Sequence, residues 1–443
     1  MKKEKDLQAE LAKRRYKKPN IIPYFIYYVV GRSRLLGKKY SPTYVREDNI
    51  GKIKGPAFLI WNHQSRRDHT FLTTISWPRK ISIVCGYNEF FREHLHWPLK
   101  MNRILPKKIF CNDLQGIRAM RDIIQKGGIV AFSPEGTSSI FGDNQPIVPG
   151  TGRFLQAFRV PVYMVYCKGS YLTNTKIDPI DRTKGKVFLT SKLLFSPEDL
   201  KNMTSEEIDN RINLEFHHDD YKWNKIAHIR YECKDGQTTR NLDDICYKCP
   251  KCGHEYEMEA KDGYIKCKHC GNGATMDEYY DFHPFDDNCV IPDTPSDWVH
   301  NERLAIIDEI RKDPNYSFSV KVKIGDLPKD HYVKKETTSE VCGEGIITID
   351  HQGFHLRGTK RSKPFNVNLS YKEIWTYPVS VDVKIFSLFI NEEYHDFIPE
   401  SPCAAKILML TEEMHRLHVN RFKNFHWFDY MYEGKELGID LKK

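Results

Sequence analysis

The sequence predicts an α/β body followed by a small cysteine-rich unit and an α+β C-terminal unit, on three observations. In the first half, short continuous apolar runs such as residues 55–61 and 127–132 alternate with stretches of helical periodicity, the pattern of buried strands covered by helices. Near residue 250 two closely spaced cysteine pairs interrupt that pattern. From about residue 315 the texture changes to alternating segments of antiparallel type closed by one helical stretch. With 443 residues, 40% hydrophobic and 29% charged, the chain can build two or three domains with cores of their own. No internal repeat or low-complexity tract interrupts it.

Residues 1–40 form a basic arm. They hold twelve Lys/Arg against three Asp/Glu, a local +9 that equals the net charge of the whole chain, 68 basic minus 59 acidic residues. Lys13-Arg14-Arg15-Tyr16-Lys17-Lys18 precedes the apolar and aromatic run Ile21 to Val30, and Arg32, Arg34, Lys38 and Lys39 follow it. This composition reads as an interfacial anchor on an anionic membrane surface; the competing reading is a solvated basic tail ahead of a buried core helix. The run is too short to cross a bilayer core, which needs about 20 residues, and no other stretch qualifies. Pro23 inside the run and the lack of a small-residue cleavage site argue against a secretory signal. The expected location is peripheral, on the cytoplasmic face of a membrane. Because charge outside the arm is balanced, nucleic acid is not the expected partner.

The body, residues 41–225, begins with Gly55-Pro56 leading into the apolar run Ala57 to Trp61, read as a short buried strand; Asp68 then opens a helical run from His69 to Trp77. Between them lies Trp61-Asn62-His63-Gln64-Ser65-Arg66-Arg67-Asp68, which places His63 on a strand-to-helix loop five residues before a carboxylate. A carboxylate on one ring nitrogen fixes the imidazole tautomer and stabilises its protonated form, leaving the other nitrogen to take a proton from a hydroxyl. Alone, the spacing is better read as an aspartate capping a helix beside an ordinary loop histidine. A second strand-to-loop unit changes the balance. Ile117, Met120, Ile123 and Ile124 mark one face of a helix, and Gly127 to Phe132 then delivers the loop Ser133-Pro134-Glu135-Gly136-Thr137-Ser138-Ser139.

Asn-His-x4-Asp and Pro-Glu-Gly-Thr, some seventy residues apart in this order, resemble the blocks of the glycerolipid acyltransferase family, typified by lysophosphatidic acid acyltransferases. Val160-Pro161-Val162 resembles the family's fourth block, so the resemblance spans roughly residues 20 to 215, a little under half of the chain. It implies an acyltransferase-type mixed sheet flanked by helices, and transfer of a fatty acyl group from acyl-CoA or acyl carrier protein to a hydroxyl of a glycerol-based acceptor. It also implies His63 and Asp68 as the catalytic pair, with Asn62, Ser65, Arg66, Arg67, Lys107, Lys108, Glu135, Gly136 and Thr137 around the substrate. The chemistry agrees with these residue types, because an alcohol needs a base to attack, whereas a thiol of pKa about 8.5 leaves with little assistance. Two departures stand out. Ser138 occupies the place of the arginine that usually follows the threonine, and Asp113, in Lys107-Lys108-Ile109-Phe110-Cys111-Asn112-Asp113, occupies that of the second block's arginine. Either the phosphate-binding charge has moved, or the acceptor carries no free phosphate monoester. Arg66, Arg67, Lys107, Lys108 and Arg153 are the replacement cations to consider, with Arg66 and Arg67 first because they lie in the histidine loop.

Residues 226–275 contain Cys249-Pro250-Lys251-Cys252-Gly253 and Cys267-Lys268-His269-Cys270-Gly271, two Cys-x2-Cys knuckles with Tyr256, Met258, Tyr264 and Ile265 as strand formers between them. This spacing is that of a zinc ribbon in which Cys249, Cys252, Cys267 and Cys270 hold a structural Zn2+. Cys246, three residues before Cys249, is either an alternative ligand or, the preferred reading, a spare thiol. Cys85, Cys111, Cys167, Cys233, Cys289, Cys342 and Cys403 are scattered and read as small buried hydrophobes. His217-His218-Asp219-Asp220 looks like a metal cluster, but adjacent side chains diverge, so it reads as a solvated helix end.

The Asp- and Pro-rich stretch Asn272 to Ser296 reads as a linker, and residues 276–314 as linker and helix. Strands are expected at Tyr316 to Ile324, Gly345 to Asp350, Gly353 to Leu356, Phe365 to Leu369 and Val381 to Ile390. A helix from Cys403 to Val419, with Leu408, Leu410, Met414 and Leu417 as its buried stripe, closes the set. Residues 315–443 thus resemble a pleckstrin-homology or GRAM-like unit, in which Lys360-Arg361-Ser362-Lys363 is either a lipid contact or a solvated turn. Two functions of different kind fit: a membrane-associated acyltransferase of phospholipid biosynthesis, or an inactive acyltransferase-like scaffold that binds protein or lipid through its ribbon and C-terminal unit. The intact His63 and Asp68 favour the enzyme.

Overall fold

The computed structural model describes residues 6–32, 39–335 and 337–421. The body is a seven-stranded sheet of β1 (Thr43–Arg46), β2 (Ala57–Trp61), β3 (Ile81–Gly86), β4 (Leu105–Lys107), β5 (Ile129–Phe132), β6 (Val162–Lys168) and β7 (Phe188–Phe195). The order is β1-β7-β6-β2-β5-β3-β4, and every neighbour is parallel except the β6–β7 pair. β2 sits at the centre with all five residues buried. Phe58 and Ile60 join the core on one face; Ala57, Leu59 and Trp61 join the core on the other. Burial on both faces is why the strand reads as a continuous apolar run rather than an alternating one. Helix Leu114–Gln125 buries Ala119, Met120, Ile123 and Ile124 against this sheet before β5. The parallel pairing of β2 with β5 and β6 brings three strand ends, and therefore three loops, to one edge.

The cysteine-rich unit is a four-stranded antiparallel sheet of β8 (Met258–Lys261), β9 (Tyr264–Cys267), β10 (Gly273–Met276) and β11 (Phe282–Pro284). The stretch read as a linker is thus structured, contributing two strands and the start of helix Pro295–Lys312. Composition hid this because the ordering is tertiary: the Asn272 amide donates to Val290 O and accepts from Val290 N, folding the Asp- and Pro-rich segment back on the knuckles.

The C-terminal unit is a six-stranded antiparallel sheet of β12 (Ser317–Asp326), β13 (Glu340–Asp350), β14 (Gly353–Lys360), β15 (Lys363–Leu369), β16 (Phe386–Ile390) and β17 (Glu393–Pro399), ordered β15-β14-β13-β12-β17-β16. β17 has no counterpart in the sequence reading, because Tyr394, His395 and Asp396 are buried where alternation expects apolar side chains; His395 is held by Asp326 at 2.8 Å. Helix Ala404–His418 buries Leu408, Leu410 and Met414, but Leu417 is exposed. It is enclosed on its polar side as well, where Glu412 and Glu413 each pair with Arg303 of helix 295–312 at 2.8 Å. On the basic turn, Lys360 and Arg361 both pair with Asp326 at 3.4 Å.

The arm packs on both the body and the C-terminal unit. Helix Leu7–Lys13 buries Leu7 and Leu11 with Phe90 and Phe91 of the body and Leu327 and Tyr394 of the C-terminal unit. Helix Ile21–Val30 buries Tyr24, while Tyr28 stacks on Trp77 at 4.5 Å; Ile21, Ile22, Phe25, Ile26, Val29 and Val30 stay exposed. Arg34 and Lys38 lie outside the described residues. Among the described residues no helix is long and apolar enough to cross a membrane. Body and C-terminal unit also join through backbone: Glu93 N donates to Val333 O and Val333 N to Phe91 O, both at 2.9 Å.

Candidate active site and metal centre

His63 stands on the loop after β2, and Asp68 opens helix Asp68–Ser76. His63 Nδ1 lies 2.8 Å from Asp68 Oδ2. The aspartate is fully buried and saturated: Oδ2 also accepts from Gln64 N at 2.9 Å and Ser65 N at 3.0 Å, and Oδ1 from Ser65 Oγ at 3.1 Å and Ser170 Oγ at 2.6 Å. A carboxylate so anchored cannot swing, and it fixes the imidazole in turn. The ring stands edge-on to Trp61 and lines a cavity of about 1450 Å³, above the roughly 300–1000 Å³ of ordinary small-molecule sites.

The loop after β5 supports the histidine loop from below. Glu135 Oε2 accepts from His63 N at 2.5 Å and Oε1 from Gln145 N at 2.9 Å, and Ser139 N donates to His63 O at 2.7 Å. Burial raises the Glu135 carboxyl to about 8, against the pull of those two backbone N–H groups. Gly136 has φ +78°, and a Cβ there would come within 2.9 Å of the Phe110 ring, so the turn requires glycine. Gly136, Thr137 and Ser138 line the cavity.

Several residues expected around the substrate are placed elsewhere. Asn62 is wholly buried and clasps the end of β6, donating to Cys167 O at 2.8 Å and accepting from Cys167 N at 2.7 Å. Ser65 is spent on Asp68, and Glu135 on the backbone; none of the three lines the cavity. Their part is to hold the loops. Arg66 and Arg67 line the cavity, yet both guanidinium groups converge on Asp181, at 2.8 and 2.6 Å. Lys107 pairs with Asp113 at 3.6 Å, and Lys108 donates to Glu392 O at 2.9 Å, both still on the cavity wall. Asp113 is an N-cap, accepting from Gly116 N at 2.8 Å and from Lys108 N at 2.9 Å. Arg153 is exposed and outside the cavity lining.

Five contributors were not legible. Ser170, at the end of β6, completes the Asp68 cradle. Asp220 fixes the turn that presents Ser170, accepting from Gly169 N at 2.6 Å and Tyr171 N at 2.8 Å. The histidine-aspartate run 217–220 is therefore no solvated helix end: all four side chains are buried, with His218 Nε2 2.6 Å from Asp220 Oδ1. Asp181 and Lys176 come from the segment after β6, for which the sequence held no signal. Tyr27 of the arm hydrogen-bonds His69, whose enclosure lowers its imidazole to about 4.

In the ribbon, Cys249, Cys252, Cys267 and Cys270 place their sulfurs within 4.8 Å of one another, and all twelve cysteines are free. Cys249 Sγ is 3.6 Å from Cys270 Sγ, and Cys252 Sγ 3.8 Å from Cys267 Sγ. A tetrahedral zinc with Zn–S of about 2.3 Å separates its sulfurs by about 3.8 Å, so the donor set fits that ion. Both knuckles use the same turn, Gly253 N to Cys249 O and Gly271 N to Cys267 O, with φ +75° and +76°. Cys246 is buried and outside the cluster; the exposed His254 and His269 lie within reach of Cys252.

Among solved structures, the chain is similar to the 1-acyl-sn-glycerophosphate (LPA) acyltransferase PlsC of Thermotoga maritima, at 20% identity over 46% of this chain and 79% of that one, with a TM-score of 0.36. No protein-family model matches. No curated protein matches either.

Proposed function

We propose that the protein is a membrane-associated O-acyltransferase moving a fatty acyl group from a thioester, acyl-CoA or acyl carrier protein, to a hydroxyl of a glycerol-based acceptor such as lysophosphatidic acid. The observation that carries this reading is the His63–Asp68 contact of 2.8 Å set in the wall of a large cavity. Nδ1 faces the carboxylate, so the tautomer that donates there leaves Nε2 as the acceptor for an alcohol proton. The alkoxide-like oxygen attacks the thioester carbonyl, a C–O bond forms, and the C–S bond breaks as the tetrahedral intermediate collapses. The imidazolium then returns its proton to the departing thiolate. The apolar wall beside the loop, including Ile83, Leu99, Ile104 and Met120, suits a fatty chain.

The exposed apolar residues of helix 21–30, set among basic residues, would hold the cavity at an anionic membrane surface. A zinc held by Cys249, Cys252, Cys267 and Cys270 would be structural, since four thiolates leave no position open. Purified zinc-loaded protein, incubated with labelled acyl-CoA and a panel of lysophospholipids and glycerol 3-phosphate, should form labelled ester that wild type makes and His63→Ala does not. Binding without turnover on every acceptor would instead favour the inert scaffold.

A further inference from the structure

Several cations on the cavity wall are neutralised by the protein itself. Arg66 and Arg67 share Asp181, Arg92 pairs with Glu89 at 3.3 Å, and Lys107 pairs with Asp113. Lys176 differs. Its Nζ donates to Ser138 Oγ at 3.3 Å, and among the described residues it makes no ion pair. Glu89 and Asp382 act on it only from beyond ion-pair distance, opposed by Arg66 and Arg92. Enclosure lowers its ammonium to about 8, the mark of a charge taken from water without a full counter-charge. Its backbone is held by the C-terminal unit, where Asp382 N donates to Lys176 O at 2.9 Å and Val379 to Val381 line the cavity.

We infer that Lys176, presented beside Ser138, is the subsite for the phosphate group of the acceptor. The inference deepens the acyl-transfer reading above and rests on it. The placement follows from connectivity. Ser138 precedes Ser139, whose N–H holds the His63 carbonyl, so the ammonium belongs to the surroundings of the catalytic loop. An acceptor's phosphate is borne by the same glycerol as the reacting hydroxyl and must lie close to His63. The phosphates of a coenzyme A donor are removed from the thioester by the whole pantetheine arm and would bind farther away. A charge-assisted contact from a partly desolvated ammonium is the kind that discriminates a phosphate-bearing acceptor from one lacking it. The C-terminal unit then acts in the reaction by walling the headgroup end of the site.

The test is binding of glycerol 3-phosphate and inorganic phosphate, with glycerol as control, to the full zinc-loaded chain by calorimetry. Wild type should bind both phosphate compounds and not glycerol. K176M should weaken that binding at least tenfold, while K176R stays within about threefold of wild type, a rescue that a merely structural lysine would not give. S138D, which sets a carboxylate against the ammonium, should lose the binding as well and serves where K176M does not fold. Phosphate binding by K176M or S138D equal to wild type, or none by wild type, overturns the inference. Because this readout needs no turnover, phosphate binding through Lys176 in a chain that acylates no acceptor would uphold the subsite while refuting the reaction.

Discussion

The cysteine knuckles and the histidine loop are both tight turns held by hydrogen bonds, yet they are built in opposite ways. Each knuckle closes on itself, glycine N–H to the first cysteine carbonyl four residues back, and the four sulfurs meet because the chain leaving the first turn runs into β8, which pairs with β9 just before the second turn, with Lys268 N donating to Glu257 O. The histidine loop is local only in the contacts of Asp68 with His63, Gln64 and Ser65. Its backbone is gripped by Glu135 and Ser139, its aspartate by Ser170, and Ser170 by the turn that Asp220 holds. A self-closing turn can be damaged without touching its surroundings only if its ion is lost; a convergent loop loses its geometry when any distant support goes, though its own residues remain.

The sharpest break of that comparison is zinc removal. Structural zinc contributes on the order of 10 kcal/mol to small metal domains, so chelation or Cys252→Ser should unfold the ribbon. Metal analysis should give one zinc per chain. The first loss should appear in proteolysis between residues 240 and 290, ahead of loss of the body's secondary structure; simultaneous collapse would show that the ribbon is as non-local as the histidine loop.

His63→Ala should act the other way, lowering acyl transfer by about a hundredfold to ten-thousandfold with zinc content and melting temperature unchanged. Turnover close to wild type in that variant would remove the histidine from the chemistry.

Membrane attachment is a smaller effect spread over many groups. Basic residues near an anionic surface contribute about 1 kcal/mol each, and Ile22 and Ile26 offer exposed apolar surface. Binding to phosphatidylserine vesicles should weaken as salt rises and fall further in an Ile22→Asp, Ile26→Asp double variant, whose zinc content should match wild type. Vesicle binding indifferent to both would place the attachment elsewhere.

Acid stability is the finest probe. His69 and His217, both lowered to about 4 by burial, are neutral in the folded protein, so the unfolded chain binds protons first as pH falls from about 6.5. Glu135, raised to about 8, acts in the opposite direction, but the stability these two histidines contribute should fall between about pH 6.5 and 4, with a slope of at most about 1.4 kcal/mol per pH unit for each group. Zinc loss acts in the same direction, so urea midpoints of His69→Gln against wild type isolate one group. A variant with the same slope as wild type would mean that His69 titrates alike in both states.

What the sequence determined by itself is whatever is short-range. The α/β alternation of the first half follows from the periods of its apolar residues, the knuckles from two identical Cys-x2-Cys-Gly turns, and the His63–Asp68 contact from five residues of spacing between a strand and a helix start. Only the tertiary structure decided the rest. Polar strand residues such as His395 and Asp396 are tolerated because Asp326 and Thr338 lie opposite, from another part of the chain. Asn62, Ser65 and Glu135 turned inward because buried backbone and carboxylate groups there needed partners. Arg66 and Arg67 were drawn to Asp181, and Lys176 was left beside Ser138. A charge's partner depends on which loops a sheet edge gathers, and that gathering has no period in the sequence to read.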